Sequence, residues 1–154
     1  MNEQQLFNFQ HEIEQIKKAF GFDLVALALV HPAEQRFTSR WEYVTGNKSN
    51  RYKRVILQTG KGVAGVVLKT GKPLLISDVR SMLDEGDLYN YPIVVAESLT
   101  SFGAIPLYKY NRVKGVLLAA FREDKVLTDE IFKEFKEAVG SRFGPYYNKE
   151  MVKQ

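Results

Sequence analysis

The run at residues 23–30 (DLVALALV) constrains the fold of this chain more than any other segment. It follows a glycine, is almost entirely apolar, and is too short for most helices. A strand with one face in water would alternate apolar with polar residues, whereas an unbroken apolar run suits a strand that is covered on both faces. The sequence therefore predicts a β-sheet with this strand near its centre.

Further strands are predicted on both sides of that run. After a turn at 31–34, residues 36–44 alternate, which predicts an antiparallel hairpin with 23–30. One face of this second strand carries Phe37, Ser39, Trp41 and Tyr43. Short strands are predicted at 55–58 and 74–76, and a second hairpin joins 100–107 to 113–121.

Amphipathic patterns predict helices at the two ends of the chain. Residues 4–20 carry one apolar stripe, which either docks on the domain or pairs with a second copy (Leu6, Phe9, Ile13, Ile16, Phe20). Thr128 caps a long helix with a second stripe (Ile131, Phe132, Phe135, Val139, Phe143). Between them, helices are predicted at 62–70 and, after an acidic irregular segment, at 91–97. This order predicts an α+β fold, with a central antiparallel β-sheet flanked by helices.

Composition limits the chemistry that the chain can perform. Its 154 residues suit one ordinary domain and include no cysteine, which excludes disulfides, thiol catalysis and cysteine-ligated zinc. The sequence has neither an apolar run of membrane-spanning length nor a signal-like N-terminus, so we expect a cytoplasmic protein without membrane contact. The net charge is +4, and six basic residues against Glu42 make 36–54 locally basic. This patch suits an anion, a partner or plain solvation, but it lacks a nucleic-acid motif.

Two segments carry motifs that resemble those of a known domain family. The first is the glycine turn and apolar helix at 60–65, followed by Thr70-Gly71-Lys72-Pro73 and a strand that ends in Asp78. The second is Ser101 to Leu107 with the later Gly-Val-Leu-Leu at 115–118. The resemblance implies a single GAF domain over 1–154, which holds a small molecule between its sheet and a cover of short helices. The ligand must be argued from the pocket itself.

Two short helices are predicted to begin near such a pocket. Gly60 and Gly62 leave the backbone open where Val63 and Ala64 have free N–H groups, although the same glycines also serve simply to make the turn. The segment 90–93 offers Pro92, which has no N–H, and Ile93, which has one. Convergent helix N-termini with apolar walls suit a small, weakly hydrated, planar monovalent anion. Trp41 is predicted either as an aromatic wall of this pocket or as a core residue.

The chain also resembles the stand-alone GAF-domain nitrate receptors. That resemblance implies nitrate held by backbone N–H groups of Val63, Ala64 and Ile93, with Trp41, Tyr91 and Pro92 lining the pocket. Val63 departs from the leucine expected there. The same resemblance implies a sensor without catalytic activity, whose partner is a sensor histidine kinase of a two-component system controlling nitrate respiration. The nitrate-free form is expected to restrain the kinase, and nitrate to shift the arrangement of the 80–97 cover.

Other readings remain open at the level of sequence. The main alternative is a GAF interaction or dimerisation module, with a pocket that is filled by its own side chains or takes a different small molecule. Asn47-Lys48 and Asp84-Glu85 partly match cyclic-nucleotide GAF domains, but Arg80 stands where those have phenylalanine. His11 and His31 fit surface positions better than haem or metal ligation. The sequence offers three surfaces for contact with the kinase: the stripe at 6–20, the stripe at 131–143 and the basic patch at 36–54.

Overall fold

The computed structural model describes residues 7–30, 40–55, 57, 60–140 and 142–148. The turn predicted at 31–34, the beginning of the strand predicted at 36–44 and the first residues of the helix predicted at 4–20 lie outside these ranges. So does the end of the C-terminal tail. None of the helices in the described ranges is long and apolar enough to cross a membrane.

The sheet has five strands, all antiparallel, in the order β2-β1-β5-β4-β3. They are β1 (Leu24–Leu29), β2 (Tyr43–Thr45), β3 (Leu74–Ile76), β4 (Ser101–Lys109) and β5 (Arg112–Phe121). Strand β1 pairs with β2 on one side and β5 on the other, and all six of its residues are buried. The prediction of a central strand covered on both faces is confirmed.

Helices cover both faces of this sheet. They are α1 (Phe9–Phe20), α2 (Gly62–Thr70), α3 (Val79–Met82), α4 (Glu85–Tyr89), α5 (Pro92–Ala96) and α6 (Asp129–Val139), with a 3-10 helix at Arg51–Arg54. The predicted helices at 62–70 and 91–97 are confirmed, as is the cap of α6, because the Thr128 hydroxyl accepts from the N–H of Ile131 at 3.1 Å. The α+β fold, a central antiparallel β-sheet flanked by helices, is therefore the one that the sequence predicts.

The core forms two layers, one on each face of the sheet. Alternate residues of β1 separate them: Val25 and Leu27 pack with α1 and α6, whereas Ala26 and Ala28 pack with α2 and α5. We call the second one the site layer. The apolar stripes of α1 and α6 pack into the first layer, where their buried residues are Ile13, Ile16, Phe132, Phe135 and Val139. Of the two roles predicted for the stripe of α1, docking on its own domain is the one observed.

Trp41 and Tyr43 do not share a face, contrary to the prediction from their alternation. Trp41 belongs to the site layer, whereas Tyr43 packs against the opposite layer. Side chains alternate strictly only along a regular strand. Here β2 begins at Tyr43, and Arg40, Trp41 and Glu42 precede it without strand geometry. The tryptophan is therefore free to turn toward the other face.

Two predicted segments have a different backbone from the one expected. No strand includes Val55 or Leu57, and residues 56 and 58 lie outside the described ranges. The N–H of Val55 instead donates to the carbonyl of Tyr52 at 3.1 Å and so completes the 3-10 turn. The acidic segment after residue 78 is helical rather than irregular at first, because Asp78 caps α3 and Asp84 forms a capping box with Asp87 at the start of α4.

Candidate ligand-binding site

A cavity of about 220 Å³ lies between the site layer and the first turns of α2 and α5. That volume is several times the roughly 30 Å³ that one water occupies in the liquid. Five of the six predicted site residues line it: Trp41, Val63, Ala64, Pro92 and Ile93. Tyr91 is not among the lining residues and packs against the site layer beside the cavity. Sequence reasoning had not assigned several others to the site (Val55, Leu57, Tyr89).

The first wall is the N-terminus of α2. Gly60 and Gly62 have φ angles of 85° and 73°, a left-handed conformation that favours glycine, and they bracket the turn into the helix. No side chain caps this helix, although the first N–H groups of a helix lack intrahelical partners. Val63 and Ala64 occupy the second and third helical positions and are 2% and 1% exposed. Their N–H groups are therefore donors at the cavity without a capping side chain.

The second wall is the N-terminus of α5. Pro92 occupies the first helical position and has no N–H, and the N–H of Val94 donates to the carbonyl of Tyr91 at 3.0 Å. No side chain caps this helix either, so the N–H of Ile93 is its remaining first-turn donor. The two helix starts are close, because a Cβ added to Gly62 would lie 3.4 Å from the carbonyl oxygen of Asn90.

The indole of Trp41 adds a donor that sequence reasoning missed. Its Nε1 is buried and has no hydrogen-bond partner, a condition that among the side-chain nitrogen and oxygen atoms of the described residues it shares only with one oxygen of Glu97. A buried donor without a partner costs about 1–3 kcal/mol, so a ligand that accepts from it is favoured. The sequence predicted Trp41 either as an aromatic wall of the pocket or as a core residue, and in neither case as a donor. The signal for a donor was present, since every tryptophan carries an N–H that usually finds a partner when buried.

The electrostatics of the cavity favour a ligand of low negative charge. Among the lining residues that the structure describes, Lys61 is the one cation and no carboxylate is present. Burial, and next the negative charge of Asp87, raise the pKa of Tyr91, which keeps the neighbouring phenol neutral at physiological pH. The other polar lining side chains, those of Trp41, Tyr89 and Asn90, are uncharged. Such a cavity offers hydrogen-bond donors and one ammonium group but no bidentate guanidinium clamp of the kind that phosphate usually receives.

A buried ion pair anchors the other end of α5. Glu97, the C-terminal cap of α5, is fully buried, and its Oε1 accepts from Arg122 Nη2 at 2.6 Å and from the N–H of Lys48 at 2.8 Å. Arg122 also donates from Nε to the carbonyl of Glu97 at 2.7 Å and from Nη1 to that of Gly46 at 3.1 Å. These bonds fix α5 to β5 and to the loop after β2, and so hold the helix whose first turn faces the cavity.

A five-stranded antiparallel sheet with a cavity under a cover of short helices is the architecture of a GAF domain, and the GAF domain family model matches residues 8–143. The chain belongs to the GAF domain family. It is similar to a hypothetical protein from Staphylococcus aureus, at 40% identity over 79% of this chain and 98% of the other, with a TM-score of 0.74. It is also similar to an NreA protein from S. aureus that was mutated in its nitrate binding site. The identity is 40% over 79% of this chain and 88% of the other, with a TM-score of 0.75.

More distant structures share the fold alone. A free methionine-R-sulfoxide reductase from Neisseria meningitidis is 21% identical over 93% of this chain and 78% of the other, with a TM-score of 0.64. Comparison with curated protein sequences gives no match.

Proposed function

We propose that this GAF protein is a nitrate sensor that binds the anion in the 220 Å³ cavity and thereby modulates a sensor histidine kinase of a two-component system controlling nitrate respiration. Nitrate would accept hydrogen bonds from the N–H groups of Val63, Ala64 and Ile93 and from the indole of Trp41. Pro92 would contribute an apolar wall, and Tyr91 would support the cavity from behind. The similarity to an NreA protein described by its nitrate binding site supports this assignment.

The observation that carries the proposal is that Trp41, one of the residues that line the cavity, has a buried indole Nε1 without a hydrogen-bond partner. Uncapped helix starts occur in many proteins, but a buried donor without a partner beside two of them favours an acceptor from outside the chain. Nitrate is planar, carries a single negative charge and has three acceptor oxygens. It suits donors that approach from two helices and one side chain, and it requires less compensating positive charge than phosphate.

Binding without catalysis fits the chemistry of the lining residues. The chain has no cysteine, the residue on which thiol-based reductase chemistry depends. Lys61, Asn90 and Tyr89 are the lining side chains with polar groups besides Trp41. Tyr89 is 80% exposed, and no histidine or carboxylate among the described lining residues could act with it as an acid–base pair. We infer that the cavity serves recognition only.

A thermal titration with sodium nitrate, matched in ionic strength against sodium chloride, tests this function. At about 100 times the dissociation constant, a ligand that binds only the native state adds roughly 2.7 kcal/mol, which raises Tm by about 5–11 °C for a domain of this size. We expect a saturable rise with nitrate alone. Equal shifts with both salts would instead favour the interaction module, in which the cavity holds no anion or a different small molecule.

The Trp41→Phe variant isolates the indole N–H. Phenylalanine keeps an aromatic wall but removes the donor, and hydrogen bonds to charged groups contribute about 1.5–3 kcal/mol. We expect nitrate affinity measured by calorimetry to fall roughly 10- to 150-fold. The unliganded protein should keep its fold with a lower Tm, because the smaller ring leaves a void at a buried position, although the lost donor had no partner. Unchanged affinity in this variant would remove the indole from the site.

A further inference from the structure

A second concavity of about 600 Å³ adjoins the candidate site. It runs between the 3-10 helix on one side and α4 with α5 on the other. We call it the basic groove, and it is lined by Arg51, Arg54, Leu88, Tyr89, Val95 and Ala96, together with Val55 and Pro92. No part of the proposed anion binding requires a concavity of this size, so the basic groove calls for an explanation of its own.

The basic groove contains two large apolar side chains that are exposed to solvent. Tyr89 is 80% exposed and Val95 53% exposed, and these are two of the five large apolar side chains that stand out in this way among the described residues. Val95 lines the basic groove and not the ligand cavity. Contiguous exposed apolar surface with a polar rim is characteristic of a site where another molecule docks.

The rim of the basic groove is positively charged. Arg51 and Arg54 line it, and Lys53 lies between them in the same 3-10 helix; all three are exposed. Their side chains make no ion pair with a carboxylate in the part of the chain that the structure describes. Of the surfaces that the sequence offered for contact, the stripes of α1 and α6 are buried, so this basic patch is the one that remains.

We propose that the basic groove is the docking site for an acidic amphipathic helix of a partner protein. Apolar side chains at i, i+3 or i+4 and i+7 would contact Leu88, Tyr89 and Val95, and flanking carboxylates would face Arg51 and Arg54. The surface is a concavity between the 3-10 helix and α4 with α5, and exposed apolar side chains lie beside its two arginines. A concavity between two helical elements suits an inserted helix better than the flat surface of a bilayer.

The groove and the ligand cavity share a wall. Val55, Tyr89 and Pro92 line both. This part of the inference rests on the proposed function: nitrate that orders the first turn of α5 also sets the position of Tyr89 and Pro92 against the docked helix. Because linkage between two ligands is reciprocal, the helix must change nitrate affinity by the same factor by which nitrate changes the affinity for the helix.

A displayed library of helical peptides, selected for binding to the full chain, tests the docking site without knowledge of the partner. The selected peptides are then measured for binding to the wild-type protein and to the Arg51→Glu/Arg54→Glu variant. We expect enriched sequences to combine apolar residues at helical spacing with Asp or Glu. Their affinity should be at least about tenfold weaker for the double variant, because like charges across an interface are strongly unfavourable. Val95→Ser should weaken binding as well, which separates groove insertion from simple charge attraction.

A matched charge reversal away from the groove provides the control. The Arg112→Glu/Lys133→Glu variant changes net charge equally at exposed positions that do not line the groove, and it should bind the peptides as wild type does. Selection that enriches no acidic amphipathic family overturns the proposal, as do peptides that bind both double variants equally. Preferential binding of the wild type to phosphatidylserine vesicles over phosphatidylcholine vesicles, without peptide binding, overturns it in favour of a membrane surface.

Repeating the peptide titration with and without saturating nitrate tests the coupling. Nitrate binding is measured on the same samples by calorimetry, so a protein that binds the peptide but not nitrate contradicts the proposed function and leaves the docking site standing. A protein that binds nitrate but shows no peptide selection contradicts the docking site alone. Equal peptide affinity with and without nitrate would contradict the coupling between the two sites.

Discussion

Replacing Ala64 by tryptophan should abolish the nitrate-dependent rise in Tm. Ala64 is 1% exposed, lines the cavity and carries one of the proposed backbone donors. An indole there occupies the cavity volume that the anion needs, so the roughly 2.7 kcal/mol gained by wild type at 100 times its dissociation constant should fall to zero. Calorimetry should find no saturable heat with nitrate, whereas the fold persists with a loss of about 1–3 kcal/mol from overpacking.

The control for this variant lies on the same helix. Lys69→Trp places an indole at an exposed position of α2 outside the cavity and should respond to nitrate as wild type does. If Ala64→Trp still shows a saturable shift of normal size, the anion binds elsewhere and the site assignment fails. If Lys69→Trp also loses the response, the effect belongs to α2 as a whole rather than to the cavity.

Removal of Arg122 should cost the protein about 3–5 kcal/mol of unfolding free energy. Glu97 is fully buried and depends on Arg122 for its ion pair, so Arg122→Met leaves a buried carboxylate without its counter-charge and with only the hydrogen bond from the N–H of Lys48. The measurement is urea denaturation, read as a lower midpoint at an unchanged slope. Nitrate affinity should fall too, because the pair fixes the C-terminal end of α5.

A double variant separates the effect of the unpaired Glu97 carboxylate from other structural effects of removing Arg122. Adding Glu97→Gln to Arg122→Met removes the stranded charge and keeps an acceptor for the N–H of Lys48, so most of the stability should return. Arg112→Met at an exposed position should change stability by no more than about 0.5 kcal/mol. A double variant less stable than Arg122→Met alone would show that the pair contributes through packing rather than through charge.

The parts of the fold predicted correctly are those that local pattern determines. The unbroken apolar run of β1, the glycine-bracketed start of α2, Pro92 at the start of α5 and the Thr128 cap of α6 all follow from rules that act within a few residues. The helices α3 and α4 were missed because they are four and five residues long. Their capping aspartates were readable signals, but such short segments carry no apolar periodicity.

The sequence indicated the backbone donors proposed for the candidate site. It did not indicate the contacts that depend on side chains distant in sequence. Helix starts expose N–H groups wherever they occur, so the positions of Val63, Ala64 and Ile93 followed from glycine and proline spacing. The placement of Trp41 depends on where regular pairing of β2 begins, which alternation alone does not indicate. Nor does local pattern bring Glu97 to Arg122, 25 residues away in sequence, because only the folded sheet makes that contact.

The uncapped starts of α2 and α5 have an evolutionary consequence. A donor that belongs to the peptide unit is carried by every amino acid except proline, so residues 63, 64 and 93 can drift among apolar types of similar volume while the donors persist. The inherited property is then a backbone conformation, set by the left-handed glycines before α2 and the proline that begins α5. If the proposed site is correct, relatives with the same recognition are better traced through those glycines, that proline and Trp41 than through the residues whose amides are proposed to bind the anion.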